Sequence, residues 1–227
     1  RFRSSTTSAD LATFSGAGLY TSTSSKPDDK DRRIAEAIRP VWASVWNRRA
    51  FDEREFYGIN HETVFAAIQL NPGFPEEEGN GVAISRNITD VKSQSGLSTG
   101  VYFNNQNGEY SVTNPSPGVV AEELIVFFDP VTAYDFSTQY TERVYIKRSS
   151  ETKVNRDLGI REPVFLDSEL DMMVNVIRTL HDHFKQLYDP QDQNSLFAID
   201  LEYKVDDFGT DERKVYFKQA RPYSDPE

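Results

Sequence analysis

Residues 196–205 read L-F-A-I-D-L-E-Y-K-V, and residues 214–221 read K-V-Y-F-K-Q-A-R. In the first stretch Phe197, Ile199, Leu201, Tyr203 and Val205 alternate with Ala198, Asp200, Glu202 and Lys204. That period of two predicts a strand with one apolar face and one face carrying two carboxylates. A polar loop over residues 206–213, with Gly209 inside it, separates this strand from a second one long enough to pair back antiparallel. Pro222 follows, lacks an amide donor, and is expected to end the ladder. If the odd-numbered side of the second strand faces the carboxylate side of the first, Asp200, Glu202, Gln219 and Arg221 converge. A slip of one residue scatters them.

Carboxylate and amide oxygens are hard ligands suited to Mg²⁺, and an arginine fork takes phosphate oxygens in bidentate fashion. The four side chains therefore suit a metal-bound polyphosphate, with Asp200, Glu202 and Gln219 as candidate metal ligands. Spacing alone favours the plainer reading, a surface ion pair between neighbouring strands.

Composition narrows the field. With 37% hydrophobic and 12% aromatic residues, the chain has enough apolar material for a real core, as one large domain or two small lobes. A formal charge of −11 argues against nucleic acid and anionic membrane as partners. It does not exclude ATP, whose phosphates are met by local arginines and a metal. No cysteine is present, which removes disulfides, thiolate metal sites and cysteine nucleophiles. The longest apolar run, residues 124–128, is far too short to span a bilayer.

The D-L-E of residues 200–202, followed by the Q-A-R-P of residues 219–222, resembles the end of the nucleotide-binding domain of phosphoenolpyruvate synthase and pyruvate phosphate dikinase. The opening agrees: Arg3-Ser4-Ser5 with Asp10-Leu11 and Phe14-Ser15-Gly16 is similar to that family's R-S-S…E-D-L…F-x-G segment. Residues 41–50, V-W-A-S-V-W-N-R-R-A, resemble its next helix. Two matches in order at opposite ends are far more specific than either alone. The resemblance implies an α+β, ATP-grasp-like fold of mostly antiparallel sheet with packed helices, spanning residues 1–227 as one nucleotide-binding domain. By motif position, Glu202 and Gln219 would hold Mg²⁺, and Arg3 and Arg221 would hold ATP phosphates. Gly16, within Ser15-Gly16-Ala17-Gly18, would let backbone N–H groups approach the nucleotide as a nest.

The resemblance further implies a cytoplasmic phosphotransferase that passes a phosphoryl group from ATP to a histidine on a separate domain of the full-length protein. None of the three histidines follows a serine as the carrier motif requires. Arg1 lies two residues before R-S-S, so the chain reads as part of a longer protein. It is expected to be an incomplete clamp, with feeble ATP affinity and no phosphotransfer by itself. Where better-known synthases carry a glycine-rich G-x-G-E segment, this chain departs after residue 100. Two alternatives stay open: a dikinase acting on another acceptor, such as a glucan or an antibiotic, and a non-catalytic nucleotide-binding or assembly module.

Elsewhere the pattern predicts a long helix over residues 29–57, kinked or restarted near Arg39 by Pro40 and capped by Gly58. Arg48, Arg49 and Arg54, interleaved with Asp52, Glu53 and Glu55, read as a salt-bridged helix face. His61-Glu62 lacks the second histidine of a zinc-protease helix. Residues 64–70 and 81–85 read as a hairpin, which by the resemblance would line the nucleotide cleft, and residues 100–105 and 110–113 as another across Asn107-Gly108. Strands are expected over 122–128 and 143–148, and a helix over 167–188 capped by Asp167 or Ser168. His181 and His183 are expected on that helix's solvated face. Residues 21–31 read as an unstructured connection. Asn87-Ile88-Thr89 fits a glycosylation sequon for which a cytosolic protein has no use.

Overall fold

The computed structural model describes residues 1–8, 10–11, 14–16, 18–26, 28–74, 76–112, 115–130, 141–210 and 212–223. The chain divides into two compact units, Arg1–Gly73 and Phe74–Glu227. The first carries ten Lys and Arg against nine Asp and Glu, net +1; the second carries fifteen against twenty-seven, net −12.

In the first unit, β1 (Phe2–Thr6) pairs antiparallel with β4 (Ala66–Leu70), which places Arg3 opposite Gln69. β2 (Asp10–Leu11) and β3 (Phe14–Ser15) form a short ladder. The hairpin expected between residues 64–70 and 81–85 does not form: β4 takes the N-terminal strand as its partner. A five-residue strand with a largely exposed burial pattern has no apolar face to specify a local hairpin. Residues 21–31 are not a free connection, because Thr23 bridges Phe2 through hydrogen bonds of 2.7 and 3.0 Å.

The long helix is broken later than the proline suggests. α1 (Ile34–Ala43) runs through Pro40, a 3-10 turn follows at Ser44–Trp46, and α2 (Arg48–Phe56) starts afresh. Asn47 makes the break, with extended backbone and a side-chain oxygen accepting the Ala50 N–H at 2.7 Å. Gly58 does cap α2: at φ 65° its N–H reaches the Glu55 carbonyl while the Ile59 N–H reaches that of Arg54, a Schellman arrangement. Arg48 pairs with Asp52 at 3.3 Å as the charged face requires, but Arg54 is fully buried. It donates to the Val45 carbonyl at 2.7 Å and to His61 Nδ1 at 3.2 Å. Phe2, Ala37 and Val41 form this unit's main apolar cluster, whereas Ile34, Trp42 and Trp46 of the predicted stripe stay exposed.

The second unit is built on one antiparallel six-stranded sheet. In chain order its strands are β5 (Gly79–Ile84), β6 (Gly100–Asn107), β7 (Glu122–Phe128) and β8 (Thr141–Lys147); then, after the two-residue ladder of β9 (Val154–Asn155) and β10 (Ile160–Arg161), β11 (Ile199–Asp206) and β12 (Lys214–Pro222). The spatial order is β12-β11-β5-β6-β7-β8. β6 therefore pairs with β5 and β7 and not with residues 110–113, of which Thr113 lies outside the described residues. Gly108 still turns the chain at φ 60°.

One face of the sheet packs against α3 (Asp167–Tyr188), whose Leu170, Met173, Val174 and Ile177 meet Ala83, Phe103, Leu124, Val126, Leu201 and Tyr203. The N-cap of α3 is Leu166, not Asp167 or Ser168; the Glu169 carboxylate reaches back to the Leu166 N–H at 2.8 Å and supplies the cap from inside the helix. His183 is exposed as expected, but His181 is half-buried: its Nδ1 meets Ser85 Oγ at 2.8 Å, and burial holds its pKa below the usual value. Gly81 is required for packing, since a Cβ there would stand 2.5 Å from Tyr203 Oη. Beneath the ring lies a buried polar chain, Tyr203 Oη to Asn105 Oδ1 and Asn105 Nδ2 to Glu122, whose carboxyl burial pushes its pKa up. The Asn87 amide of the sequon is engaged, donating to the Val91 carbonyl at 2.8 Å and accepting from the Thr89 N–H.

Candidate functional site

The β11–β12 hairpin forms in the register that brings the four site residues together: Asp200 lies opposite Arg221, and Glu202 opposite Gln219. Directly opposed residues put their Cβ atoms about 5 Å apart on one face. The strand starts at Ile199 and not at Leu196, which is exposed, and Pro222 does not end the pairing. Pro222 stands opposite Ile199, and the Tyr223 N–H still reaches the Ala198 carbonyl at 2.9 Å. β12 is an edge strand, where a missing donor faces outward at little cost.

A bulge resolves a conflict in the sequence. Val215, Phe217, Gln219 and Arg221 are all odd-numbered, so an unbroken strand would point all four the same way. The register shifts between Glu202/Gln219 and Tyr203/Phe217, leaving Lys218 as the extra residue. Val215, Phe217 and Ala220 thereby pack with the α3 core, while Gln219 and Arg221 share the opposite face with Asp200 and Glu202. The convergence expected of odd-numbered residues holds only beyond the bulge.

On that polar face, Arg221 Nε and Nη2 both donate to Asp200 Oδ2, at 3.0 and 2.8 Å, and both side chains are largely shielded. The ion pair that spacing allowed is therefore present. It fixes the guanidinium plane and leaves the Nη1 edge of the fork directed elsewhere. Glu202 and Gln219 sit one row along, both partly exposed. Among the described residues no group of three or more His, Cys, Asp or Glu is placed to hold a metal ion. A carboxylate and an amide fit Mg²⁺ that brings phosphate oxygens and waters with it, rather than an ion caged by protein alone.

Across the sheet the same face carries a second buried apolar cluster, with Ile84, Tyr102, Ile125 and Phe127, beside a polar row that the motif did not announce. Register carries the Glu202 row through Val82 and Asn104 to Glu123. Tyr102 Oη donates to Glu123 Oε1 at 2.9 Å, and Lys147 Nζ meets Glu123 Oε2 at 2.6 Å. Burial first, and then the neighbouring Glu123, push the Tyr102 phenol well up. The alternation of Glu123, Ile125 and Phe127 was the available signal.

Arg3 and Gly16 belong to the first unit. Arg3 is partly buried on β1, and Gly16 is buried with its carbonyl accepting the Leu19 N–H at 3.2 Å. The nest expected over residues 15–18 includes Ala17, outside the described residues.

No helix among the described residues is long and apolar enough to cross a membrane. No curated protein matches the chain. A family model described as pyruvate phosphate dikinase, AMP/ATP-binding domain, matches residues 2–226. That match spans both units and takes in the hairpin with its polar face, so the chain belongs to the family of the pyruvate phosphate dikinase AMP/ATP-binding domain.

Proposed function

We propose that the β11–β12 face binds Mg·ATP in an ATP-grasp manner and presents the terminal phosphate for transfer to a histidine on another domain of a cytoplasmic dikinase-type enzyme. The observation that carries the reading is the register that sets Glu202 opposite Gln219 and Asp200 opposite Arg221 on one partly exposed face. Glu202 and Gln219 would hold Mg²⁺, with Asp200 as a third candidate ligand. When bound, the metal neutralises charge on the transferring group. Arg221, oriented by Asp200, directs its remaining N–H groups to a phosphate oxygen without reorganising at the moment of reaction. Arg3 and Gly16, in the first unit, are candidates for phosphate and backbone contact by motif position alone.

A second reading, in which the acceptor is not pyruvate, is favoured by β6, which runs to Asn105-Gln106-Asn107 and a Gly108 turn where better-known synthases carry G-x-G-E. Both readings share the nucleotide site. Titration of the chain with ATP into the millimolar range, with and without Mg²⁺, tests that site: Glu202→Ala should abolish the Mg²⁺ dependence while leaving the thermal transition unchanged. An identical Mg·ATP affinity in this variant would remove Glu202 from the metal site.

A further inference from the structure

At the core-facing positions of β6, Val101 and Phe103 are followed by Asn105, and all three are fully buried. An amide is tolerated on such a face only where its polar atoms are bonded. Asn105 Nδ2 donates to Glu122 Oε1 at 3.1 Å, and Glu122 Oε2, also buried, accepts the Val164 N–H at 3.2 Å. Asn105 Oδ1 accepts from the hydroxyl of Tyr203, whose ring is buried among Phe103, Phe165 and Phe217 with centroids 6.3, 5.6 and 6.2 Å away. Phenylalanine would fill the same space with no hydroxyl to satisfy, so packing alone does not account for the tyrosine.

The place of Tyr203 in the hairpin does. It follows Glu202, and the β11–β12 register shifts between these two residues. At a bulge the ladder is locally disrupted, so backbone hydrogen bonds to the edge strand define the chain less tightly there. Tyr203 spans the irregularity from both sides. Phe217, one of its ring partners, is the β12 residue opposite it beyond the bulge. Its hydroxyl also stands 3.3 Å from the carbonyl oxygen of Val82, the β5 residue opposite Glu202. The ring crosses β5 over Gly81, where a Cβ would strike the phenol, and so reaches Asn105 of β6. A satisfied chain of buried polar groups rigidifies what it joins, here β11, β5, β6 and β7 at the level of Glu202.

We propose that Tyr203, held by Asn105 and Glu122, is a positioning residue: it fixes β11 at the bulge and thereby keeps the Glu202 carboxylate opposite Gln219, in place for a divalent cation. The assignment deepens the metal and phosphate reading of the hairpin and rests on it. Tyr203 touches neither metal nor nucleotide, being buried on the α3 side while Glu202 lies on the other.

The test titrates ATP against the 227-residue chain with and without Mg²⁺. Tyr203→Phe keeps the ring and removes the hydroxyl; Asn105→Leu keeps the bulk and removes its acceptor. Each should weaken ATP binding in Mg²⁺ roughly tenfold and leave Mg²⁺-free ATP binding unchanged, as the loss of a group that orients a metal ligand does. Because both break one bond, the double variant should lose no more than the larger single loss. Ile177→Val, which thins the same core from α3, should lower the thermal midpoint and leave the Mg²⁺ dependence intact. Mg²⁺ dependence intact in either folded single variant, losses that multiply in the double variant, or the same loss in Ile177→Val overturns the positioning role and leaves the Glu202 reading standing. A wild-type chain without Mg²⁺-dependent ATP binding, or one whose dependence survives Glu202→Ala, overturns the metal reading and this assignment with it.

Discussion

On the helix side of the sheet, Leu201 and Tyr203 of β11 are buried beneath α3; on the other side Asp200, Glu202 and Lys204 of the same strand remain partly exposed. Neighbouring residues thus answer to different constraints. The first set is fixed by close packing, where a lost methylene is felt. The second lies outside the α3 core, and there Asp200 pairs with Arg221 and Lys204 with Glu77. The proposed site uses the second set, and the Lys218 bulge lets one strand serve both faces.

The sharpest way to break that division is to delete Lys218. Without the extra residue, either Val215 and Phe217 leave the core or Gln219 and Arg221 enter it. We expect a loss of about 4 kcal/mol or more, or no folded chain, by denaturant unfolding, whereas Lys218→Ala should stay within about 1 kcal/mol. A deletion variant with the wild-type midpoint would show that the bulge does not separate the faces.

Asp200→Asn and Arg221→Lys sharpen the contrast from the polar side. Each should change stability by about 1 kcal/mol or less, since the pair bridges two strands already paired by backbone. Each should nonetheless weaken ATP binding about tenfold or more, because a lysine has no fork and an unanchored arginine loses its orientation. Equal losses in stability and binding would mean that this face, too, is structural.

The smallest effect concerns His181. Burial holds its folded pKa below the ordinary 6.5, so between the two values the unfolded chain binds more protons. Stability should be full above about pH 6.5 and decline as pH falls through the folded value. Desolvation is the leading cause of the shift, and the Asp182 charge, which works against it, and Lys185 are the neighbours that modulate it. His181→Gln should flatten that part of a stability profile; an unchanged profile would assign the acid sensitivity to other groups.

What could be read from the sequence followed from local periodicity. α3 occupies residues 167–188 as its stripe predicts, and the hairpin pairs as the alternation of residues 199–205 requires. Pairings between distant segments were not legible. The partnership of β4 with β1 joins residues some sixty apart, and nothing in A-A-I-Q-L distinguishes it from a local hairpin. The burial of Arg54 and the docking of His181 on Ser85 depend likewise on contacts that no spacing rule contains. The meeting of Asp200, Glu202, Gln219 and Arg221 was legible because they fall in two adjacent strands. The packing of Phe74 against Phe208 and Tyr216 was not, because it depends on the turn.

The uneven charge of the two units bears on how fast a nucleotide arrives. A unit of net −12 surrounds the proposed site with a potential that repels an anion before any contact forms. Encounter with ATP should therefore quicken as ionic strength rises toward physiological values, where the screening length shrinks to about 8 Å. This is the reverse of the usual salt dependence for phosphate ligands. Stopped-flow association rates at 10 and 150 mM salt, at constant free Mg²⁺, would display it, with Mg·ATP less impeded than the free nucleotide because it carries less negative charge.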